Sequence, residues 1–179
     1  MSRPGALRHK RVMGENAGMD ATKETLLHTL DAQREHVLGA LEGLDAAQLT
    51  QAVLPTQWNC VGLVQHLALD VERFWFRETV AGETVDDQGT ATSAWTVGPG
   101  TSPEEVLALY SEEIDRADAI IGATALDAAP KYWADHFGSW RLPDLRAILL
   151  HVIAETACHA GHLDAVRELI DGKTWIILE

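Results

Sequence analysis

The fold of this chain is decided by the stretch RAILLHVIAETACHAGHLDAVRELIDG, which runs from Arg146 to Gly172. It is long and largely apolar, as expected for a helix that packs in a core, and it closes on glycine, the residue type that most often ends a helix. Four polar residues recur within it at spacings of three and four, which place side chains on one stripe of an α-helix. They are His151, Glu155, His159 and His162.

This stripe is predicted to bind a divalent metal. Because Ile148, Val152 and Val166 lie close to it, we expect its polar groups to face a core rather than open water. An ionised glutamate and several imidazoles are costly to bury without partners. A metal would satisfy them, since glutamate oxygen and histidine nitrogen are both metal ligands. The competing interpretation is a buried hydrogen-bonded network without metal.

The predicted ligands are His66, Glu155 and His159. The last two are four residues apart, so both side chains can reach one ion from one helix, and His66 is the best candidate for a third ligand. Three protein ligands leave positions open, as in catalytic metal sites. On α-helical spacing, His66 lies away from the apolar face of its helix, so it faces either solvent or a water-filled cleft. His151 and His162 are further ligands, residues that orient the ligands, or acid–base groups.

Four long amphipathic helices are predicted, and they indicate an all-α four-helix bundle with long crossover loops. Their predicted ranges are 20–43, 58–80, 103–121 and 143–172. The connecting segments are 45–57, 82–100 and 122–142, and a long turn-rich loop such as the second often serves a site. Within the first helix, His28 and His36 are expected at solvated positions. We interpret residues 19–179 as one domain.

Composition excludes several classes of protein. The chain has 179 residues and a net charge of −13, which disfavours nucleic acid and anionic membranes as partners. No apolar run reaches the ~20 residues of a membrane span. Only Cys60 and Cys158 are present; we interpret both as small core residues in a cytoplasmic protein. Residues 1–18 carry four basic residues and are predicted to be a disordered tail or a leader.

Two segments resemble a known family. They are WNCVGLVQHLA from Trp58 to Ala68, followed by VER at 71–73, and ETACHAGHLD from Glu155 to Asp164, followed by RELIDG at 167–172. Over residues 20–172 the chain resembles the DinB/YfiT-like superfamily of metal-binding bundles, in the branch similar to mycothiol-dependent maleylpyruvate isomerases. The resemblance implies His66, Glu155 and His159 as metal ligands. It also implies a thiol-dependent S-transferase or isomerase that uses mycothiol or bacillithiol.

The resulting hypothesis is a thiol transferase or isomerase. A divalent metal, zinc first with nickel or iron as alternatives, would hold a low-molecular-weight thiol as its thiolate for attack on a small electrophile. Several residues are predicted around this centre. They are His151 and His162 as acid–base groups, Arg73, Arg77 and Arg141 for a carboxylate, and Trp58, Trp95, Trp133, Trp140 and His136 as a pocket wall.

Two other classes of function remain open. One is a metal-holding binding or sensing bundle without turnover. The other is a structural homodimer that uses the apolar tail at 175–178. Metal-dependent binding of a thiol would favour the enzyme over both.

Overall fold

The computed structural model describes residues 21–85 and 94–175, and within these ranges the chain is all helical, without a strand. The all-α prediction is therefore confirmed. Helix α3 continues without a break into a π-helix, here called the π segment. The elements are α1 (Ala21–Leu41), α2 (Ala46–Thr50), α3 (Cys60–His66), the π segment (Leu67–Val80), α4 (Pro103–Ala123), a 3₁₀ turn (Asp135–Phe137) and α5 (Leu145–Asp171).

Helix α4 begins at a capping box formed by Ser102 and Glu105. The Ser102 side chain accepts a hydrogen bond from the Glu105 amide, and the Glu105 carboxylate accepts one from the Ser102 amide. This capping box satisfies two amides that an α-helix leaves without partners at its start, and Pro103 occupies the first turn, where no amide is needed.

Helix α5 begins two residues later than predicted. Its first residue is Leu145 rather than Pro143, and Asp144 caps it, because the Asp144 side chain accepts a hydrogen bond from the Ala147 amide. Its end agrees with the prediction, because Gly172 adopts the left-handed conformation (φ 74°) that terminates helices.

Helix α2 interrupts the segment predicted as a plain connector. Asp45 and Gln48 form a second capping box, in which each side chain accepts from the other residue's backbone amide. An acid or serine followed three residues later by Glu or Gln is a recognisable helix start. The signal was therefore present in the sequence.

The four long helices surround a single apolar core. Helix α1 packs along α5, the π segment packs along α4, and α3 contacts both α4 and α5. Leu30, Phe76, Tyr110 and Leu163 illustrate the core, each with an exposed fraction of 0%. Because the C-terminal end of α3 lies against α5, His66 comes within contact distance of the polar stripe.

The π segment changes which residues share a face. The Ala81 amide donates to the Phe76 carbonyl five residues earlier. A helix with such bonds turns less per residue than an α-helix, which changes the spacing of its buried residues. Its buried residues accordingly recur in adjacent pairs every four positions: Leu67 and Ala68, Val71 and Glu72, Trp75 and Phe76, Thr79 and Val80.

Buried polar contacts join the helices inside the bundle. Arg34 of α1 donates to both carboxylate oxygens of Glu72 at 2.8 and 2.7 Å, and both side chains are buried. His36 is also buried and pairs with Asp164 at 2.8 Å. The expected solvated position of His36 was therefore wrong, because α5 covers that face of α1. His28 is exposed as expected.

Two other predictions concern the ends of the chain. The basic segment 1–18 lies outside the described residues, as does the apolar tail beyond Trp175. Trp175 itself stacks on His36, with ring centroids 6.1 Å apart. Among the described helices, none is long and apolar enough to cross a membrane.

Candidate metal centre

Three side chains from two helices converge at the end of α3. His66 is the last residue of α3, and Glu155 and His159 lie one turn apart on α5. One donor atom from each lies within 4.8 Å of the other two. His66 is buried, whereas Glu155 and His159 are half-buried. These are the three residues that the sequence predicted as one group, and the fold brings them together.

Each of the three side chains is held by a polar neighbour. The Nδ1 atom of His66 lies 2.8 Å from Oδ2 of Asp70, which leaves Nε2 as the nitrogen available to the cluster. Oε2 of Glu155 lies 3.1 Å from Nε2 of His151. The Nδ1 atoms of His159 and His162 are 3.4 Å apart. Such contacts are typical of groups that orient metal ligands.

The charge states of the cluster suit a cation. The hydrogen bond from His151 is the main cause that lowers the pKa of Glu155, against the opposing effect of burial. Burial, followed by repulsion from His66, lowers the pKa of His159 to about 4. At neutral pH the glutamate is therefore ionised and His159 is neutral, the forms in which these residues ligate metals.

Trp95, from the long loop before α4, covers the cluster. Its ring stacks on His66 with centroids 4.3 Å apart and meets the edge of His159 at 5.6 Å. The amide of Gln65 donates to backbone carbonyls on both sides of Trp95, at 2.7 and 3.2 Å. Gly62 permits this close approach, because a Cβ there would lie 2.4 Å from the Trp95 carbonyl oxygen. The second connector thus contributes to the site, as its length suggested.

A cleft of about 360 Å³ opens beside the cluster. It is bordered by α5, by the start of the π segment and by the segment around the 3₁₀ turn. The lining residues are His66, Asp70, Phe74, Trp75, His136, Phe137, Trp140, His151 and Glu155. Of the residues predicted around the metal ligands, Trp140, His136 and His151 line this cleft.

The polar stripe of α5 is partly exposed rather than turned into the core, and its His151 and Glu155 line the cleft. His151 and Glu155 keep 32% and 30% of their side chains exposed, and His162 is exposed. The expectation that the stripe points into a core was wrong. The core face of α5 belongs to the neighbouring stripe of Ile148, Val152 and Val166.

Arg73 and Arg77 lie elsewhere. Both guanidinium groups bind the buried carboxylate of Glu113 on α4, at distances of 2.9 to 3.1 Å, and neither lines the cleft. Residues predicted as a carboxylate clamp thus hold the π segment against α4. The third candidate, Arg141, donates to the carbonyls of Gly138 and Trp140.

Trp58 borders the far side of the cluster. Its ring lies 6.3 Å from both Trp95 and His162. Trp133 packs behind the cleft against Trp75, with ring centroids 5.8 Å apart. Of the aromatic residues predicted as a pocket wall, Trp140 and His136 therefore border the cleft. Trp58 and Trp95 lie on the other side of the cluster.

The two cysteines differ from each other. Cys60 is fully buried, and burial raises its pKa to about 11. Cys158 is exposed, so the interpretation of both as core residues was wrong for Cys158. It lies next to His159 in sequence, but α-helical geometry directs neighbouring side chains to different faces.

Sequence reasoning missed part of the cleft wall. Asp70, Phe74, Trp75 and Phe137 were not proposed as site residues. A signal was present for two of them, because His66, Asp70 and Phe74 follow one another at a spacing of four, which places neighbouring members on one side of a helix.

Comparison with known proteins agrees with this architecture. A family model described as mycothiol-S-transferase matches residues 25–172 and includes His66, Glu155 and His159. No curated protein and no solved structure matches the chain. Because the matched region covers most of the sequence, the chain belongs to the mycothiol-S-transferase family, which is one of the DinB/YfiT-like families.

Proposed function

We propose that this protein is a metal-dependent S-transferase that joins mycothiol, or a related low-molecular-weight thiol, to a small electrophile. The observation that carries the proposal is the convergence of His66, Glu155 and His159 at the edge of a cleft. Family membership supplies the thiol as the expected cosubstrate.

The donor set fits zinc. Two imidazoles and one carboxylate are a ligand set that zinc accepts in catalytic sites, where three protein ligands leave a position open. Nickel and iron accept the same donors, and remain alternatives. A bound ion would lower the pKa of the cosubstrate thiol and hold it as a thiolate at neutral pH.

The protein's own residues would then control protons and orientation. In the transfer, the thiol sulfur forms a bond to an electrophilic carbon, while the thiol proton and the leaving group depart. His151 lines the cleft and contacts Glu155, so its imidazole is placed to accept that proton. If the electrophile is an activated alkene, the proton goes to carbon, and later loss of the thiol gives an isomer. His162 would orient His159 from the outer side.

The first test is the metal content of the purified protein, measured by elemental analysis. Wild-type protein is expected to hold about one zinc, nickel or iron per chain. His66→Ala and Glu155→Ala should each lose it, whereas His28→Ala, which removes an exposed histidine of α1, should retain it. Retention of metal without His66 would instead implicate His151 or His162 as a ligand.

Thiol transfer is tested on the same proteins. Metal-loaded wild type should accelerate the reaction of mycothiol or bacillithiol with a small aryl halide, and the ligand variants should not. A protein that binds metal but neither binds nor transfers the thiol would favour the non-catalytic metal-binding bundle. Absence of metal even after reconstitution would contradict the proposed function.

A further inference from the structure

We propose that the electrophile taken by this cleft is a small, uncharged aromatic compound. The inference rests on the proposed function and specifies its second substrate. It comes from three properties of the cleft, namely its ring-lined wall, its charge and its position relative to the metal ligands.

The wall is made of aromatic rings from two separate elements. Trp75 of the π segment lies 5.7 Å from Phe137 and 6.0 Å from Trp140, ring centre to ring centre, and Phe137 lies 5.2 Å from Trp140. Trp75 is 3% exposed, whereas Trp140 is 42% exposed. The inner ring is therefore fixed by packing, and the outer ring keeps surface on which a planar ligand can stack.

The charge of the wall disfavours anions. Asp70 and Glu155 contribute carboxylates, and no lysine or arginine is among the residues that the structure places around the cleft. Arg73 and Arg77 are already bound to Glu113, and Arg141 is bound to backbone carbonyls. The proposed function assigns the open position of a bound ion to the thiol, so a carboxylate or phosphate elsewhere in the cleft would meet Asp70 without a matching side-chain cation, which costs free energy.

The position of the cleft separates the two substrates. It is lined by His66 and Glu155 but not by His159, and its volume is at the small end of the range of about 300–1,000 Å³ for ligand pockets. On the opposite side of the cluster, His162 is exposed and Trp58 lies beside it. We therefore place the electrophile on the cleft side and the body of the thiol on the His162 side.

The corresponding reaction balances without another reagent. With 1-chloro-2,4-dinitrobenzene, the thiol sulfur forms a bond to the ring carbon, the carbon–chlorine bond breaks, chloride leaves, and the thiol proton passes to the protein or buffer. No oxidant or reductant is required.

Binding is tested first, with probes that cannot react. ¹⁹F NMR of 4-fluoroacetophenone, 4-fluorobenzoate and 4-fluorocyclohexanone compares an uncharged aromatic, an anionic aromatic and an uncharged aliphatic ring. The metal-loaded wild type should broaden the first signal at least tenfold more than the other two. Trp140→Leu should lose this effect, whereas Trp175→Leu should keep it, because Trp175 has the same 42% exposure but lies against α1.

Transfer is tested with a matched pair of aryl chlorides. Relative to the uncatalysed rate, 1-chloro-2,4-dinitrobenzene should be favoured at least tenfold over 4-chloro-3,5-dinitrobenzoate. Trp140→Leu should raise KM for the aryl chloride and leave KM for the thiol unchanged.

The possible outcomes separate the two proposals. Selective probe binding without any transfer would support the aromatic cleft and contradict the S-transferase. Transfer without preference for the uncharged aryl compound, and without an effect of Trp140→Leu, would overturn the inference and leave the S-transferase intact. If Trp140→Leu raises KM for the thiol alone, the cleft binds the thiol and the inference is wrong.

Discussion

At the scale of single residues, Asp70 is the least expected part of the metal centre. Its carboxylate accepts from Nδ1 of His66, and so fixes the ring with Nε2 toward the other ligands. Groups in this position typically account for 10–100-fold in metal affinity. We expect Asp70→Ala to weaken zinc binding by about that factor, measured by competition with a chromophoric chelator.

A matched control separates this effect from a general loss of negative charge. Asp115→Ala removes an exposed acid of α4 outside the site and should leave zinc affinity unchanged. Asp70→Asn keeps an oxygen acceptor and should fall between the wild type and the alanine variant. An Asp70→Ala protein that binds zinc as tightly as the wild type would show that Asp70 does not position His66.

The two cysteines should differ sharply in reactivity. Alkylation requires a thiolate that solvent can reach. Cys60 is buried, with its pKa raised to about 11, whereas Cys158 is exposed. Brief treatment of the native protein with iodoacetamide at pH 8 should label Cys158 alone, as read by peptide mass spectrometry. Labelling of both residues is expected in urea, and equal labelling in the native state would show that α3 opens readily.

The site residues show how much of the candidate site could be predicted from the sequence. The pairing of Glu155 with His159 follows from helical spacing alone. His66 was the best remaining candidate for a third ligand, and the family resemblance implied the same residue. The destination of Arg73 and Arg77 could not be predicted, because it depends on Glu113, which comes from a different helix. Charge type and spacing identify a candidate, but the partner is set by packing.

At the scale of elements, the π segment is the feature of the fold that the sequence did not predict. Four long helices and most of their boundaries were predictable from apolar periodicity and caps. The prediction assumed 3.6 residues per turn throughout, whereas Leu67–Val80 has i→i+5 bonds. This geometry places His66, Asp70 and Phe74 together on the cleft. No residue propensity predicts a π-helix in advance. The pattern that accompanies this one is the recurrence of adjacent buried residues every four positions.

The elements are joined by a buried ion pair that offers a stability test. Arg34 of α1 binds Glu72 of the π segment, and both side chains are at most 3% exposed. Removing one partner of such a pair leaves a buried charge and costs about 3–5 kcal/mol. Because Arg34 keeps Asp31 and Asp118, we expect Glu72→Leu to lower the free energy of unfolding by about 3 kcal/mol in urea titrations.

The second half of this test is the double variant. Arg34→Met combined with Glu72→Leu removes both charges and should recover most of the loss, because a buried pair contributes little net stability. Glu112→Ala, which breaks the exposed pair with Arg116, should cost less than about 1 kcal/mol. A double variant no more stable than Glu72→Leu alone would contradict this expectation and show that the pair contributes strongly to stability.

At the scale of the whole molecule, the candidate metal centre would cross-link distant parts of the chain. His66 ends α3, and Glu155 and His159 belong to α5, so a bound ion ties the first half of the bundle to the last. An unfolded chain does not hold these ligands together. Any ion that binds the folded form selectively must therefore stabilise it, by an amount set by its concentration relative to its Kd.

Zinc should accordingly raise the free energy of unfolding. At a free concentration of ~100 times Kd the expected gain is about 2.7 kcal/mol, measured as a shift of the urea midpoint between chelator-treated and zinc-loaded protein. Glu155→Ala should show no gain, and His28→Ala should show the full gain. If the wild type unfolds at the same urea concentration with and without zinc, the cluster does not bind zinc in the folded state. Because this readout does not require turnover, it tests the centre independently of the choice of thiol or electrophile.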